Sequence, residues 1–350
     1  MMANNGNFKA RNSAIELVRL LAMFMIVYYH LILFFIEPID TNPIYKAIQI
    51  PLHIGVMLFV LISGFYGIHP SFRGFFKILC IVAVYYLPLR LWYVYEMKMG
   101  GVAMLDSFHV LSKTPYWFVR TYLCLYLVSP LLNKCLKDIS IKERLYYIFV
   151  FTIIAVYLGI LQCDLSLIDG KNLANFLLLY IIGDTIRHEQ HRWKVVPNWC
   201  FFFAFILLNT VLSVSYVLFS NSAISGIIWN WSFPYYSPFL IVSSILFFIP
   251  FTRTAFYLLI INYVASSVFS IYIIHHQPTI LNVCLKPISI WLYYSAGNNV
   301  LILLLMLSCY TIIILMICIL VDKLFTPIWL LLQRSGFLIE NKLLFNQKKG

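Results

Sequence analysis

Three side chains in one apolar stretch hold the first chemistry the sequence offers. Residues 13–35 (SAIELVRLLAMFMIVYYHLILFF) are enough to cross a bilayer, which takes about 20 residues, and they include Glu16, Arg19 and His30. At about 100° per helical residue, Arg19 and His30 are three turns plus about 20° apart, so they share a face, about 16 Å apart along the axis. Glu16 precedes Arg19 by three residues, within reach of an ion pair on that face. A neutral imidazole can act as general base or nucleophile near neutral pH. A guanidinium keeps its proton, so Arg19 is an anchor and not a base. Turning such groups to lipid costs several kcal/mol, so the line must look into protein or a wet cavity. Two readings follow: an interfacial Glu16–Arg19 pair with His30 as a separate buried imidazole, or one functional line.

Other polar groups are weighed the same way. Tyr272 and His275 are one turn apart in SSVFSIYIIHHQP (266–278) and share a face, either as a packing pair or to orient a hydroxyl. Arg90 and Arg120 fall at similar depths in consecutive runs and need an anion, such as Glu96, Asp106 or a substrate group. Asp184 and Arg187 are expected to form a structural pair. His188, Glu189 and His191 fall in a short solvated loop beside Arg192 and Lys194, so no metal is expected there. The cysteines (80, 124, 135, 163, 200, 284, 309 and 318) show neither CxxC nor zinc spacing and read as packing residues.

These residues must be positioned by membrane helices. The chain has 350 residues, 62% of them hydrophobic and 11% charged, far from the balance of a soluble domain. The expected fold is an all-α, polytopic bundle of about ten transmembrane helices, over 13–35, 50–68, 75–96, 116–133, 145–162, 172–187, 199–219, 233–251, 259–281 and 298–321. The sixth is short for a span. The polar, basic opening and the length of the first run speak against a cleaved signal peptide. The net charge of +12 is spread over short loops, with no basic stripe interleaved with aromatics, so nucleic acid is not an expected partner. Assigning loops alternately puts seventeen of the 25 Lys and Arg residues on one side, five on the other and three within the runs. The positive-inside rule then makes both termini cytoplasmic. The expected organisation is a cytoplasmic tail over 1–12, a membrane domain over 13–324, and a basic amphipathic cytoplasmic tail over 325–350 that touches anionic membrane lipid.

Several motifs resemble one family. IELVRLLAMFMIVYYH (15–30), with Arg19 and His30 ten residues apart, resembles the Arg-X10-His opening helix of the acyltransferase 3 family of membrane-bound bacterial acyltransferases. HIGVMLFVLISGFYGI (53–68), PYWFVRTYLCLYLVSPLLN (115–133), FLLLYIIGDTIRHE (176–189) and SSVFSIYIIHHQP (266–278) resemble its later motifs. The resemblance implies an integral membrane O-acyltransferase of the bacterial cytoplasmic (inner) membrane. It would move an acyl group, most often acetyl, from acyl-coenzyme A (acyl-CoA) as cosubstrate to a hydroxyl of a surface polysaccharide or lipid-linked glycan. No bound cofactor is implied, since the thioester is already activated and positioning plus a base can suffice. His30 would be base or nucleophile, Arg19 an anchor for the donor, and Glu16 its support. Arg73 and Lys77, one turn apart in SFRGFFK (71–77), could meet the phosphates of coenzyme A, though the family's full double-arginine pattern is missing there. Ser63 could give the donor a hydroxyl contact, or with Gly64 form a packing notch. Trp117, Arg120, Tyr272 and His275 are the candidates for the acceptor, Trp117 as a stacking platform for a sugar. The competing readings are a transporter or flippase of a glycan or anionic substrate, and an acyltransferase using succinyl or a longer group. No discontinuous helix pair or inverted half supports the transporter.

Overall fold

The computed structural model describes residues 11–34, 42–99, 101–109, 115–162, 169–297 and 299–332. Most of the expected N-terminal tail and of the basic C-terminal tail lies outside the described residues. The described chain is helical, without strands. Its first half holds α1 Ser13–Leu33, α2 Pro43–Leu52, α3 Ile54–Tyr66, α4 Phe72–Glu96, α5 Gly101–Ser107, α6 Trp117–Asp138, α7 Ile141–Val156 and α8 Leu173–Glu189. The second half holds α9 Asn198–Leu218, α10 Ala223–Ser232, α11 Pro238–Thr252, α12 Leu259–Ala265, α13 Val268–His275, α14 Pro278–Ile280, α15 Lys286–Ala296 and α16 Val300–Leu324.

The starts of these helices are written in local chemistry. Asn12, Ser71, Asn172, Ser237 and Asn299 each accept a backbone N–H at the head of α1, α4, α8, α11 and α16, which satisfies a donor that the helix cannot pair internally. Asn42 caps α2, with Pro43 in its first turn. The second apolar run therefore begins earlier than hydropathy implies, and α2 and α3 together make a stretch from Pro43 to Tyr66.

Each of the ten apolar runs holds a helix. Among the described residues six helices are long and apolar enough to cross a membrane, or seven if the Leu259–His275 and Pro278–Ala296 pair, bent by 69°, counts as one. The other three are α6, which includes Arg120, Lys134, Lys137 and Asp138, and the shorter α8 and α11. Large apolar side chains such as Leu127, Phe149, Phe203 and Leu301 are exposed on the bundle surface, as a lipid-facing wall requires. The chain is a multi-pass membrane protein.

α1 lies between two cores. Ile15, Val18, Ala22 and Ile26 pack with α3, α8 and α11. Met23, Val27, Tyr28, Leu31 and Ile32 pack with α4, α13 and α16. Both long flanks of α1 are thus used for packing, and its remaining face is the one with Arg19 and His30. One end of the bundle is tied by cations on backbone carbonyls: Lys323 on Tyr263 (2.9 Å), Arg253 on Val196 (2.7 Å) and Arg187 on Tyr66 (3.4 Å). The Ser13 amide, donating to the Phe256 carbonyl at 3.0 Å, brings the start of α1 to this end. His30 is at the other.

The tightest crossing is α3 on α8. A Cβ on Gly64 would sit 2.2 Å from the Tyr180 carbonyl oxygen, and one on Gly183 would sit 2.3 Å from that of Leu61. Both obstacles are backbone, which cannot rotate aside as a side chain can. Gly64→Ala and Gly183→Ala should therefore each cost about 3 kcal/mol and lower the thermal unfolding midpoint in detergent. A wild-type midpoint in both would mean that the two helices can separate freely.

Candidate active site

The face of α1 bearing His30 borders a cavity of about 290 Å³. Its wall also includes Tyr29, His53, Trp117, Phe118, Phe233, Tyr235, Tyr272, His276 and the pair Asp169 and Lys171. These come from α1, the α2–α3 junction, α6, the loop after α10, the segment before α8, and the end of α13. Tyr116, whose hydroxyl donates to the Ile273 carbonyl at 3.1 Å, pins the head of α6 to α13. α13 ends at His275, with His276 as its C-cap.

Three imidazoles meet at the cavity's inner wall. His30 Nδ1 is 3.1 Å from His275 Nε2, and His275 Nδ1 is 2.8 Å from the Ile271 carbonyl oxygen. His276 stacks on His30, with ring centroids 4.7 Å apart and planes 17° from parallel. Among the described residues its Nδ1 is buried without a hydrogen-bond partner. Each ring offers a nitrogen within 4.8 Å of the others. A fourth imidazole, His53, donates from Nδ1 to the Phe233 carbonyl at 2.7 Å and stacks between Phe233 (3.8 Å) and Tyr235 (4.3 Å).

The rest of the wall combines flat aromatic faces with one ion pair. Trp117 lies 5.5 Å from Tyr235, and the Lys171 ammonium is 6.0 Å from the Trp117 ring. Lys171 pairs with Asp169 at 3.6 Å. Asp169 and Gly170 both adopt left-handed backbone (φ 54° and 80°), and the Asp169 carbonyl accepts the Tyr235 amide at 2.9 Å. A Cβ on Gly170 would strike the next amide nitrogen, that of Tyr236, at 2.8 Å, so glycine there lets the loop press against the cavity rim.

The expected donor residues lie elsewhere. Arg19 donates to both carboxylate oxygens of Glu16 at 2.9 and 3.1 Å. Glu16 is 5% exposed. The unbroken α1 keeps Arg19 about 16 Å from His30 along the axis. Ser63 donates to the Phe59 carbonyl at 2.8 Å and lies 3.3 Å from the Tyr122 hydroxyl. Arg73 and Lys77 flank a small groove with Phe76, Cys80, Trp329 and Leu332, between α4 and the residues after α16.

Of the residues proposed for the acceptor, Trp117 and Tyr272 line the cavity. His275 is fully buried behind its wall, bonded to His30. Arg120 is exposed and outside the lining. The sequence reading assigned no role in the site to His53, His276, Asp169, Lys171 or Tyr235. The His275–His276 doublet and the Asp-Gly-Lys turn were visible signals, but their meeting with His30 and Trp117 is a long-range event.

One expected pair is corrected. Asp184 pairs with Arg144 of α7 and not with Arg187, because Arg187 reaches the Tyr66 carbonyl instead. Arg144 also donates to the Leu136 and Ile139 carbonyls, and Glu189 pairs with Arg192. This network joins α6, α7 and α8, away from the cavity.

A family model described as an acyltransferase domain matches residues 12–323. No curated protein and no solved structure matches the chain.

The Arg144–Asp184 pair is nearly buried, with side chains 6% and 14% exposed. Removing one partner leaves a charge without compensation, so Asp184→Ala should cost about 3–5 kcal/mol of stability. Thermal unfolding in micelles measures this, and an unshifted midpoint would mean that water already solvates Arg144.

Proposed function

The chain belongs to the acyltransferase 3 family, and from that premise we propose that it moves an acyl group, most often acetyl, from acyl-CoA to a hydroxyl of a surface polysaccharide or lipid-linked glycan. The observation that carries this reading is an imidazole, His30, on the wall of a cavity built from aromatic faces and one ion pair. Flat rings such as Trp117 and Tyr235 suit the apolar faces of a sugar, whereas Asp169, Lys171 and Tyr272 suit its hydroxyls.

The reaction needs little beyond position and a base. His30 takes the acceptor's hydroxyl proton as the oxygen attacks the thioester carbonyl. A carbon–oxygen bond forms, the carbon–sulfur bond breaks, and the imidazolium returns its proton to the leaving thiolate. Holding both substrates beside His30 makes the step effectively unimolecular. The donor's long arm suits the length of α1: Arg19, held by Glu16, anchors it at one end while the thioester reaches the cavity at the other. Arg73 and Lys77 offer cations for the phosphates, and Ser63 lies beside this route. The acceptor lies against Trp117 and Tyr272, and Arg120 acts at most from outside the cavity wall.

In the membrane, α6, α8 and α11 complete ten crossings by leaning on their neighbours. Both termini then face the cytoplasm of a bacterial inner membrane, with the cavity toward the outer side. In a cysteine-free background, a cysteine placed at Asn42 should react with an impermeant reagent from outside, and one at Lys137 should not. The reverse pattern would invert the assignment of donor and acceptor sides.

The central test uses purified chain in nanodiscs with labelled acetyl-coenzyme A and extracted envelope glycan. His30→Gln should lower transfer by at least about 100-fold while leaving donor binding intact. Full activity in this variant would remove His30 from the chemistry. Label retained on the protein before glycan is added would replace the general base with an acyl-histidine. Trp117→Ala should raise the acceptor KM with little change in kcat, and Arg19→Lys, which loses the planar fork, should weaken the use of acyl-CoA. Succinyl-coenzyme A in place of the acetyl donor tests the choice of acyl group.

A further inference from the structure

We propose that His275 is a positioning residue that holds His30 in one tautomer, with the proton on Nδ1, so that Nε2 is the atom that takes the acceptor's proton. This rests on the acyl-transfer reading above.

The assignment follows a chain of donors and acceptors. His275 Nδ1 lies 2.8 Å from the Ile271 carbonyl oxygen, and a carbonyl can only accept, so this nitrogen carries a hydrogen. In a neutral imidazole the other nitrogen is then bare. That bare Nε2 lies 3.1 Å from His30 Nδ1. Two lone pairs at this distance would repel, so His30 Nδ1 is the donor and His30 Nε2 keeps a free lone pair. The direction of the chain is set inside one helix, since Ile271 is one turn before His275 in α13.

The surroundings point the same way. His275 has no exposed surface and is absent from the cavity wall that His30 lines. The hydrogen bond therefore leads away from the substrate, and the nitrogen left for the substrate is Nε2. His276, stacked on the His30 ring at 4.7 Å, restrains the ring's tilt. The logic is that of a Ser-His-Asp triad, in which a third group fixes the tautomer of the base, with a neutral imidazole in place of the carboxylate. When Nε2 takes the proton, Nδ1–H stays on His275. The imidazolium's hydrogen-bond partner is then a neutral ring and not a carboxylate, so it can return its proton to the departing thiolate.

The test compares His275→Gln and His275→Leu in the full-length chain in nanodiscs, with acetyl-coenzyme A and extracted envelope glycan. Gln keeps an oxygen that can accept from His30 Nδ1–H, and Leu fills similar space without one. His275→Gln should retain kcat within about tenfold, and His275→Leu should lose at least about 100-fold in kcat with the donor KM unchanged. A packing role predicts the opposite order, because Leu is the more apolar filler. The nitrogen-15 spectrum of histidine-labelled wild-type protein reads the tautomer directly and needs no variant to fold: His30 should show a protonated Nδ1 and a bare Nε2. Wild-type kcat in His275→Leu, or a protonated Nε2 on resting His30, would overturn the proposal. So would a stoichiometric divalent metal in the purified wild-type protein that is lost in His275→Leu, because an ion shared by these rings would displace the proton between them. An inactive His30→Gln beside a fully active His275→Leu would sink this inference alone, an active His30→Gln would remove His30 from the chemistry and this inference with it, and no transfer by the wild-type chain would sink the acyl-transfer reading itself.

Discussion

Inside a bilayer, a charged or imidazole-bearing side chain must be given protein or water to face, and α1 presents three such groups on one side. The bundle answers by packing both flanks of α1. One flank enters a core with α3, α8 and α11, and the other a core with α4, α13 and α16. The third side then looks onto a cavity at one end and onto the Glu16–Arg19 pair at the other. Much of the architecture can be read as the consequence of this arrangement. The glycine contact between α3 and α8 lets the first core close, and the end of α13 sets His275 and His276 against His30.

The two ends of α1 present different chemistry. At the start, an ion pair holds a guanidinium whose charge is permanent and whose donors are planar, suited to a fixed polar or anionic group. At the other end the ring nitrogens of His30, His275 and His276 cluster, and a neutral imidazole offers one donor and one acceptor. Between them the helix is unbroken, so their separation is rigid. A donor that reaches from one to the other would be measured by α1 itself, in keeping with catalysis by positioning.

The cavity mouth is built from segments far apart in the chain. Asp169 and Lys171 precede α8, Phe233 and Tyr235 follow α10, and Trp117 opens α6. Their association depends on the left-handed turn at Asp169 and Gly170, which brings a backbone carbonyl onto the Tyr235 amide. Here backbone hydrogen bonds and ring stacking do the assembling, with a half-exposed ion pair at the rim, where solvent weakens it.

The amino-acid sequence by itself determined the membrane class, the ten apolar runs, the shared face of Glu16, Arg19 and His30, and the family motifs. Each depends on local periodicity or on residues within one helix, where neighbours along the chain are neighbours in space. It also placed Asp184 in a structural role, though with the wrong arginine: Arg187 is adjacent in sequence, and only packing brings Arg144 closer. Helices α10 and α15, and most of α2, fall between the ten apolar runs, because their short, Pro-, Ser- or Trp-containing stretches lack the length of a span. The tertiary structure alone decided that His275 touches His30, that His276 stacks on it, that Trp117 shares a wall with Tyr235, and that Arg120 faces outward. Such contacts join residues more than a hundred positions apart, and a helical wheel defines a direction without naming what stands opposite. That partner is selected by the packing of all the helices at once.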